Sequence, residues 1–293
     1  MLTRRDFLSR TVAGAAAVAT AANVKAFASA AGRRAWPGPI GLELYTVRQL
    51  FAEDPAGTLK KVAAVGYKEV EIGPGGKPDM LKTQLRDAGL SAPSGYFDSP
   101  KSIDDWKKTV DQAHGYGLNY IVVGDNPSLT ADAWKQRAAL YNECGRLSRQ
   151  AEIQFCYHAH FREFAAVDGT TGYDILLKRC DAKLLKMEMD IFWVTYAGKD
   201  PLTYWRRYPG RFPMLHIKDM TKGVTIHHQE DPAPDGPNPF APVGRGTIDW
   251  RRIFQHVELA GAEHIFVEQD RCDQPQLEAI KISFDYLSHL RLS

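Results

Sequence analysis

Short apolar runs alternate with longer amphipathic stretches along nearly the whole chain, the pattern of a repeated strand–helix unit. Strands are predicted at 40–45, 67–72, 90–96, 118–123, 153–158, 184–191, 212–217 and 264–268. Helices are predicted at 55–65, 78–88, 103–116, 131–152, 173–180, 201–208, 250–260 and 276–290. Pro55, Pro78 and Pro201 stand where a helix tolerates a missing N–H, and Gly66, Gly89 and Gly261 follow the last periodic residue of theirs. Eight such units predict an α/β chain folded as a single (β/α)₈ barrel, a TIM barrel, over residues 36–293. The rival, a doubly wound open sheet, calls for a glycine-rich phosphate turn after the first strand. Glu43-Leu44-Tyr45-Thr46-Val47 stands there instead.

One connection breaks the rhythm. More than thirty residues rich in Pro, His, Asp and Gly separate the seventh strand from Trp250, including His227-His228 and the stretch Asp231 to Pro237. A connection this long after a strand lies on the face where barrels keep their sites, and reads as a lid or substrate-gripping loop. Its adjacent histidines, on a mobile loop, are poor chelators.

Composition adds a leader to this picture. Arg4-Arg5-Asp6-Phe7-Leu8 is a twin-arginine pattern, an Ala-rich apolar run extends from Thr11 to Val24, and Ala28-Ser29-Ala30 offers a cleavage site. Residues 1–30 therefore read as a signal peptide, with export to the periplasm by the twin-arginine route. The run is too short to span a bilayer comfortably, so no stable membrane insertion is expected after cleavage. The leader holds four basic residues against one acidic, and the remainder of the chain is close to neutral. That balance advertises no basic groove, so no nucleic-acid partner is expected. Four cysteines lack the spacing of a zinc or redox motif and read as small buried apolar residues. Homo-oligomer formation is compatible with the sequence.

The chemistry concentrates at the ends of four successive predicted strands. There stand His158-Ala159-His160, Glu188-Met189-Asp190, His216-Ile217-Lys218 and Glu268-Gln269-Asp270, each a pair of polar residues two apart and so on one face. Each follows an apolar run that makes its first member costly to bury unpaired. Taken singly, His216 reads as a satisfied core histidine, and Glu188 as a partner of Lys186 or Lys218. Four strands together point to a divalent cation held by His158, Glu188, Asp190, His216 and Glu268. Mixed imidazole and carboxylate donors suit Mn, Co, Zn or Fe, with Mg a further candidate, better than Ca.

The chain resembles the xylose-isomerase-like superfamily, specifically its sugar phosphate isomerase/epimerase-type barrels, from about residue 38 onward. The likeness rests on Leu42 to Arg48, Gly66 to Glu71, Tyr157-His158-Ala159-His160-Phe161-Arg162-Glu163-Phe164, Met189 to Val194, Tyr208 to Arg211, Leu215 to Asp219, Gly244 to Trp250 and Val267 to Asp270. The resemblance implies a metal held by Glu, Asp, His and Glu on strands five to eight. The last three match Asp190, His216 and Glu268, whereas His158 and His160 stand where the epimerases place a carboxylate. That departure removes one of the two glutamates of a symmetric two-base scheme.

The expected activity is metal-dependent isomerisation or epimerisation of a sugar or keto-sugar through an enediolate. Glu268 and either His158 or His160 are the expected proton-transferring groups, with Lys218 stabilising an oxyanion. Tyr45 and Trp193 are candidates to stack on a sugar, and Glu43, Glu71 and Arg245, from the matching motifs, are further substrate-binding candidates. The alternatives are a metal-dependent lyase or hydrolase of keto-glycosides and an exported, non-catalytic sugar-binding barrel. An exported chain is expected to meet unphosphorylated carbohydrate.

Overall fold

In the computed structural model, residues 32–73, 75, 77–125, 127–224, 232–233 and 235–292 are described. Eight parallel strands close on one another: β1 Gly41–Glu43, β2 Glu69–Ile72, β3 Ser91–Phe97, β4 Tyr120–Val123, β5 Gln154–Ala159, β6 Leu185–Asp190, β7 Met214–Ile217 and β8 His264–Val267. Each pairs with its sequence neighbours, and β8 returns to β1 through Phe266 opposite Gly41 and Val267 opposite Leu42. A side chain at Gly41 would drive its Cβ to 2.5 Å from the Phe266 ring and 2.8 Å from the Ile265 carbonyl, so the seam closes only with glycine there.

The outer helices are α1 Pro55–Val65, α2 Pro78–Ala88, α3 Ile103–Tyr116, α4 Ala131–Gln150, α5 Gly172–Arg179, α6 Pro201–Arg207, α7 Trp250–Gln255 and α8 Gln276–His289. Side-chain oxygens start several of them, Asp54 accepting from Gly57, Ser102 from Asp105, Thr130 from Ala133 and Thr171 from Asp174. Each such cap satisfies an amide the helix leaves unpaired, worth about 1 kcal/mol. Two short helices were not legible as periodic patterns: Arg48–Glu53, and Ile191–Tyr196, capped by Asp190. The predicted first strand shortens for the same reason, since 44–47 turn into a 3₁₀ helix capped by Glu43.

Strand alternation sorts the core into two shells. Outward residues such as Ile121, Phe155, Tyr157, Leu215 and Ile265 pack under the helices with Trp106, Trp134, Trp205 and Trp250. The inward set Tyr120, Val122, Cys156, Met214 and Phe266 forms a separate apolar plug inside the barrel. The next inward positions on the same strands are His158, His216 and Glu268, so the plug is the floor on which the polar residues stand.

The long connection after β7 is not structureless. Asp219–Met220 and Phe240–Ala241 pair as a short antiparallel ribbon at its base. Residues 225–231 and 234, including His227 and His228, lie outside the described residues, as do residues 1–31, which contain the expected leader 1–30. No helix among the described residues is long and apolar enough to cross a membrane. All four cysteines are free; Cys144, Cys156 and Cys180 are buried and Cys272 is half-buried.

Candidate active site

At the C-terminal mouth of the barrel a cavity of about 460 Å³ opens among Glu43, Tyr45, Tyr96, His158, His160, His216, Lys218, Glu268 and Asp270. Glu71, Glu188 and Asp190 lie directly beneath it, fully buried. Register explains the convergence, because His158 is level with Glu188 on β6 and His216 with Asp190.

His216 is the hub. Its Nδ1 lies 2.8 Å from Glu268 Oε2, and its Nε2 lies 2.7 Å from Glu71 Oε2 and 3.3 Å from Glu188 Oε2. Burial opposes charge on this ring, but Glu188 and Glu268 overcome it and hold its pKa well above the usual histidine value. Ser94 donates to the other oxygen of Glu71. Lys218 occupies the outer side, with Nζ 2.8 Å from Glu268 Oε2, 3.1 Å from Asp190 Oδ2 and 3.0 Å from Asp270 Oδ1. Its partners are therefore these three carboxylates and not Glu188. Burial would lower its pKa, yet Asp190, Asp270 and Glu268 raise it well above normal. Burial likewise works against ionisation of Glu268, but Lys218 and His216 hold that carboxyl well below the usual range.

His158 on β5 and His160 just past its end are both shifted the opposite way from His216. Burial, then the neighbouring His216 and His160, push the His158 pKa well down. Burial and Lys218 push His160 down to about 3. Both are neutral imidazoles with a lone pair to give, the form a metal or a proton requires. His158 Nδ1 lies 2.9 Å from Glu188 Oε2, and its Nε2 lies 3.8 Å from Asp190 Oδ2.

His158, Asp190 and His216 offer ligand atoms within 4.8 Å of one another, and Glu43, Glu71 and His216 form a second such group. Glu188 Oε1 and Glu43 Oε2 are buried without a hydrogen bond, and Asp190 Oδ2 has only the Lys218 ammonium at 3.1 Å. Carboxylates at Glu43, Glu71, Glu188, Asp190, Glu268 and Asp270 outnumber the cationic Lys218 and His216. Burial and this crowding push Glu43 and Glu188 well above the carboxylate range. Orphaned oxygens, excess negative charge and mixed N/O donors fit a divalent cation at His158, Asp190 and His216, with Glu268 adjoining, the ion taking the place of the proton that His216 otherwise carries.

Among the substrate-binding candidates, Tyr45 is half-exposed at the rim and Glu43 lines the cavity, while Glu71 is sealed under His216. Trp193 is buried behind His160, with ring centroids 5.5 Å apart, and carries Lys218 at 5.2 Å over its face. It packs the wall rather than presenting a free stacking surface. Phe240, from the ribbon of the long connection, packs beside Trp193 and stands 5.6 Å from Lys218. Arg245 is not brought to the cavity and is exposed. The amides on either side of it, Gly244 and Gly246, donate to Asp219, which pulls the turn down and turns the intervening side chain outward.

Three contributors were missed from sequence. Asp270 was noted only as the companion of Glu268, yet it takes both oxygens to Lys218. Tyr96 closes the cavity wall from β3, donating to the Gly124 carbonyl. Glu163 is fully buried, accepting from the Tyr157 hydroxyl at 2.9 Å and from the His160 amide at 3.2 Å. A charged residue inside an otherwise aromatic motif was the available signal for Glu163.

The profile of the xylose isomerase-like TIM barrel matches residues 59–290. An inosose dehydratase of Lacticaseibacillus casei is 25% identical over 243 residues, covering 73% of this chain and 81% of that protein. A crystal structure of a sugar phosphate isomerase/epimerase from Parabacteroides distasonis superposes with a TM-score of 0.73 at 24% identity, covering 88% of this chain and 96% of that one. A xylose isomerase-like TIM barrel protein from Mycobacterium smegmatis, solved in complex with magnesium, gives 0.63 at 15% identity, covering 87% and 97%. Closed barrel, strand-end site and profile agree, and the chain belongs to the xylose isomerase-like TIM-barrel family.

Proposed function

We propose that this chain is a metal-dependent lyase that removes the proton beside the carbonyl of a keto-sugar or related polyol and expels a substituent from the next carbon. The observation that carries this reading is the chemical asymmetry of the cavity. One wall presents His160, whose Nδ1 is buried without a partner; the other, two strands away, presents Lys218 with Glu268 and Asp270. Elimination needs unlike groups, one taking a proton from carbon and one giving a proton to a departing oxygen. Epimerisation at one carbon is served by two like bases on its two faces, and the second glutamate such a scheme uses is a histidine here.

His158, Asp190 and His216 would hold the cation, with Glu268 beside them. Bound there, a divalent ion supplies Lewis-acid polarisation of the carbonyl. The protein's own groups do the rest. His160 takes the α-proton, and the C–H electron pair moves into the new C=C bond as the β C–O bond breaks. Asp270, whose carboxyl is pushed by burial up to about 7, delivers a proton to the leaving oxygen, and Lys218 stabilises the charge on that oxygen. Trp193 and Phe240 cover Lys218 and keep water from it. The L. casei relative is named a dehydratase, which supports loss of a β-substituent; the magnesium of the M. smegmatis protein supports the metal.

Incubation with keto-sugars in D₂O, followed by mass spectrometry and NMR, tests the reading. Deuterium exchange at the α-carbon with release of water or an alcohol is expected, and His160→Ala should lower it about 100-fold or more. Exchange with no release would support instead an isomerase or epimerase, the reading favoured by the name of the P. distasonis structure. No exchange with any metal would leave a carbohydrate-binding barrel. We further propose export by the twin-arginine leader, which fractionation of cells carrying Arg4→Lys and Arg5→Lys variants tests.

A further inference from the structure

A second, apolar depression of about 380 Å³ adjoins the catalytic cavity and shares Glu43, Tyr45 and Gly73 with it. Beyond that shared edge it is walled mainly by Leu44, Phe51, Ile72, Met80 and Leu81, from the segment after β1, the end of β2 and the first turns of α2. Of three exposed large hydrophobic side chains among the described residues, Tyr45 at 50% and Met80 at 52% exposure both stand here. Scattered singly such residues need no explanation; gathered on one depression beside a polar site they mark a contact surface.

Tyr45 is held in place. The Arg48 guanidinium stacks on its ring at 4.1 Å and donates to the Tyr45 carbonyl at 2.8 Å and the Asp270 carbonyl at 2.9 Å. A ring fixed this way is a stacking platform whose ordering cost is already met. The same bonds occupy Arg48, leaving Lys77 as the other cation at this depression; Glu43 and Gln84 are its further polar side chains, and the rest of the lining is mainly apolar. A phosphate finds little there.

We propose that the depression is a subsite for a flat apolar group, an aryl substituent, carried by the substrate on the far side of the reacting carbon. This rests on the lyase reading of the adjoining cavity, whose departing group would then be an aryl alcohol or a similar apolar alcohol. Unlike the polar ring, such a group is recognised by area and shape, and Met80 adapts its thioether to it.

The test separates binding from turnover. Affinities of the metal-loaded protein for 4-nitrophenyl β-glucoside, methyl β-glucoside and glucose 6-phosphate are measured by calorimetry. The aryl glucoside should bind about tenfold more tightly than the methyl glucoside, the gain from covering part of one ring. Met80→Asp and Tyr45→Ala should each abolish most of that ratio; both side chains are exposed, so folding is not at stake. Equal affinities, a ratio that survives both variants, or a preference for the phosphate would overturn the proposal. An aryl preference in a protein that exchanges no α-proton upholds the subsite and sinks the lyase reading instead. Exchange on bare keto-sugars with no aryl preference does the reverse.

Discussion

His216 bridges Glu71, Glu188 and Glu268 from a position closed to solvent, so removing it leaves Glu71 and Glu188 facing each other without the cation they share. His216→Ala is expected to cost about 3–5 kcal/mol in urea unfolding and to abolish retained metal. Full stability with full metal content would show the ring to be peripheral. Glu163 makes a different prediction. Burial pushes its carboxyl up to about 7, with bonds from the Tyr157 hydroxyl and the His160 amide pulling the other way. The folded state thus holds this proton where the unfolded chain, titrating near 4.5, has released it. Between those values the native state binds more protons, so stability falls as pH rises, by up to about 3 kcal/mol in all. Glu163→Gln, which keeps an acceptor for the His160 amide, should flatten that slope; an unchanged slope would assign it to other groups. Of these two residues only His216 was legible, because it ends an apolar strand; Glu163 acts through a turn whose shape no periodicity encodes.

At the scale of elements, strands and helices were readable because burial on one or both faces dictates their spacing. The connections were not, since each is held by bonds between residues far apart in sequence. Asp219 is the clearest case. Its carboxylate accepts from the amides of Met220, Gly244, Gly246 and Ile248 and from the Trp250 indole, fastening the long connection to the start of α7. In sequence it was merely the residue after Lys218. Asp219→Ala should destabilise by about 3–5 kcal/mol, since several buried donors lose their acceptor together. Gly246→Ala should act in the same direction, its Cβ meeting Asp219 Oδ1 at 2.2 Å and the Met220 carbonyl at 2.4 Å. Because Phe240 in this connection covers Lys218, both variants should impair turnover as well as folding. Intact kinetics in a thermally weakened Asp219→Ala would uncouple the connection from the site.

At the scale of the whole molecule, the first and last described segments fasten to each other. Arg33–Arg34 pair antiparallel with Arg291–Leu292, and the Ala35 amide donates to the Leu290 carbonyl. A chain beginning at residue 37 should therefore melt about 5 °C below one beginning at residue 32, by differential scanning calorimetry. Equal melting temperatures would make the clasp ornamental. Barrel closure has a further consequence, in time rather than in space. β1 pairs with β2 on one edge and with β8 on the other, so the first strand to leave the ribosome waits for the last before its second edge is covered. Until then the half-made barrel shows an open strand edge to its neighbours, the circumstance in which chains most readily pair with the wrong partner. Synthesis rate and chaperone supply, more than the stability of the finished barrel, should govern how much of this protein a cell recovers.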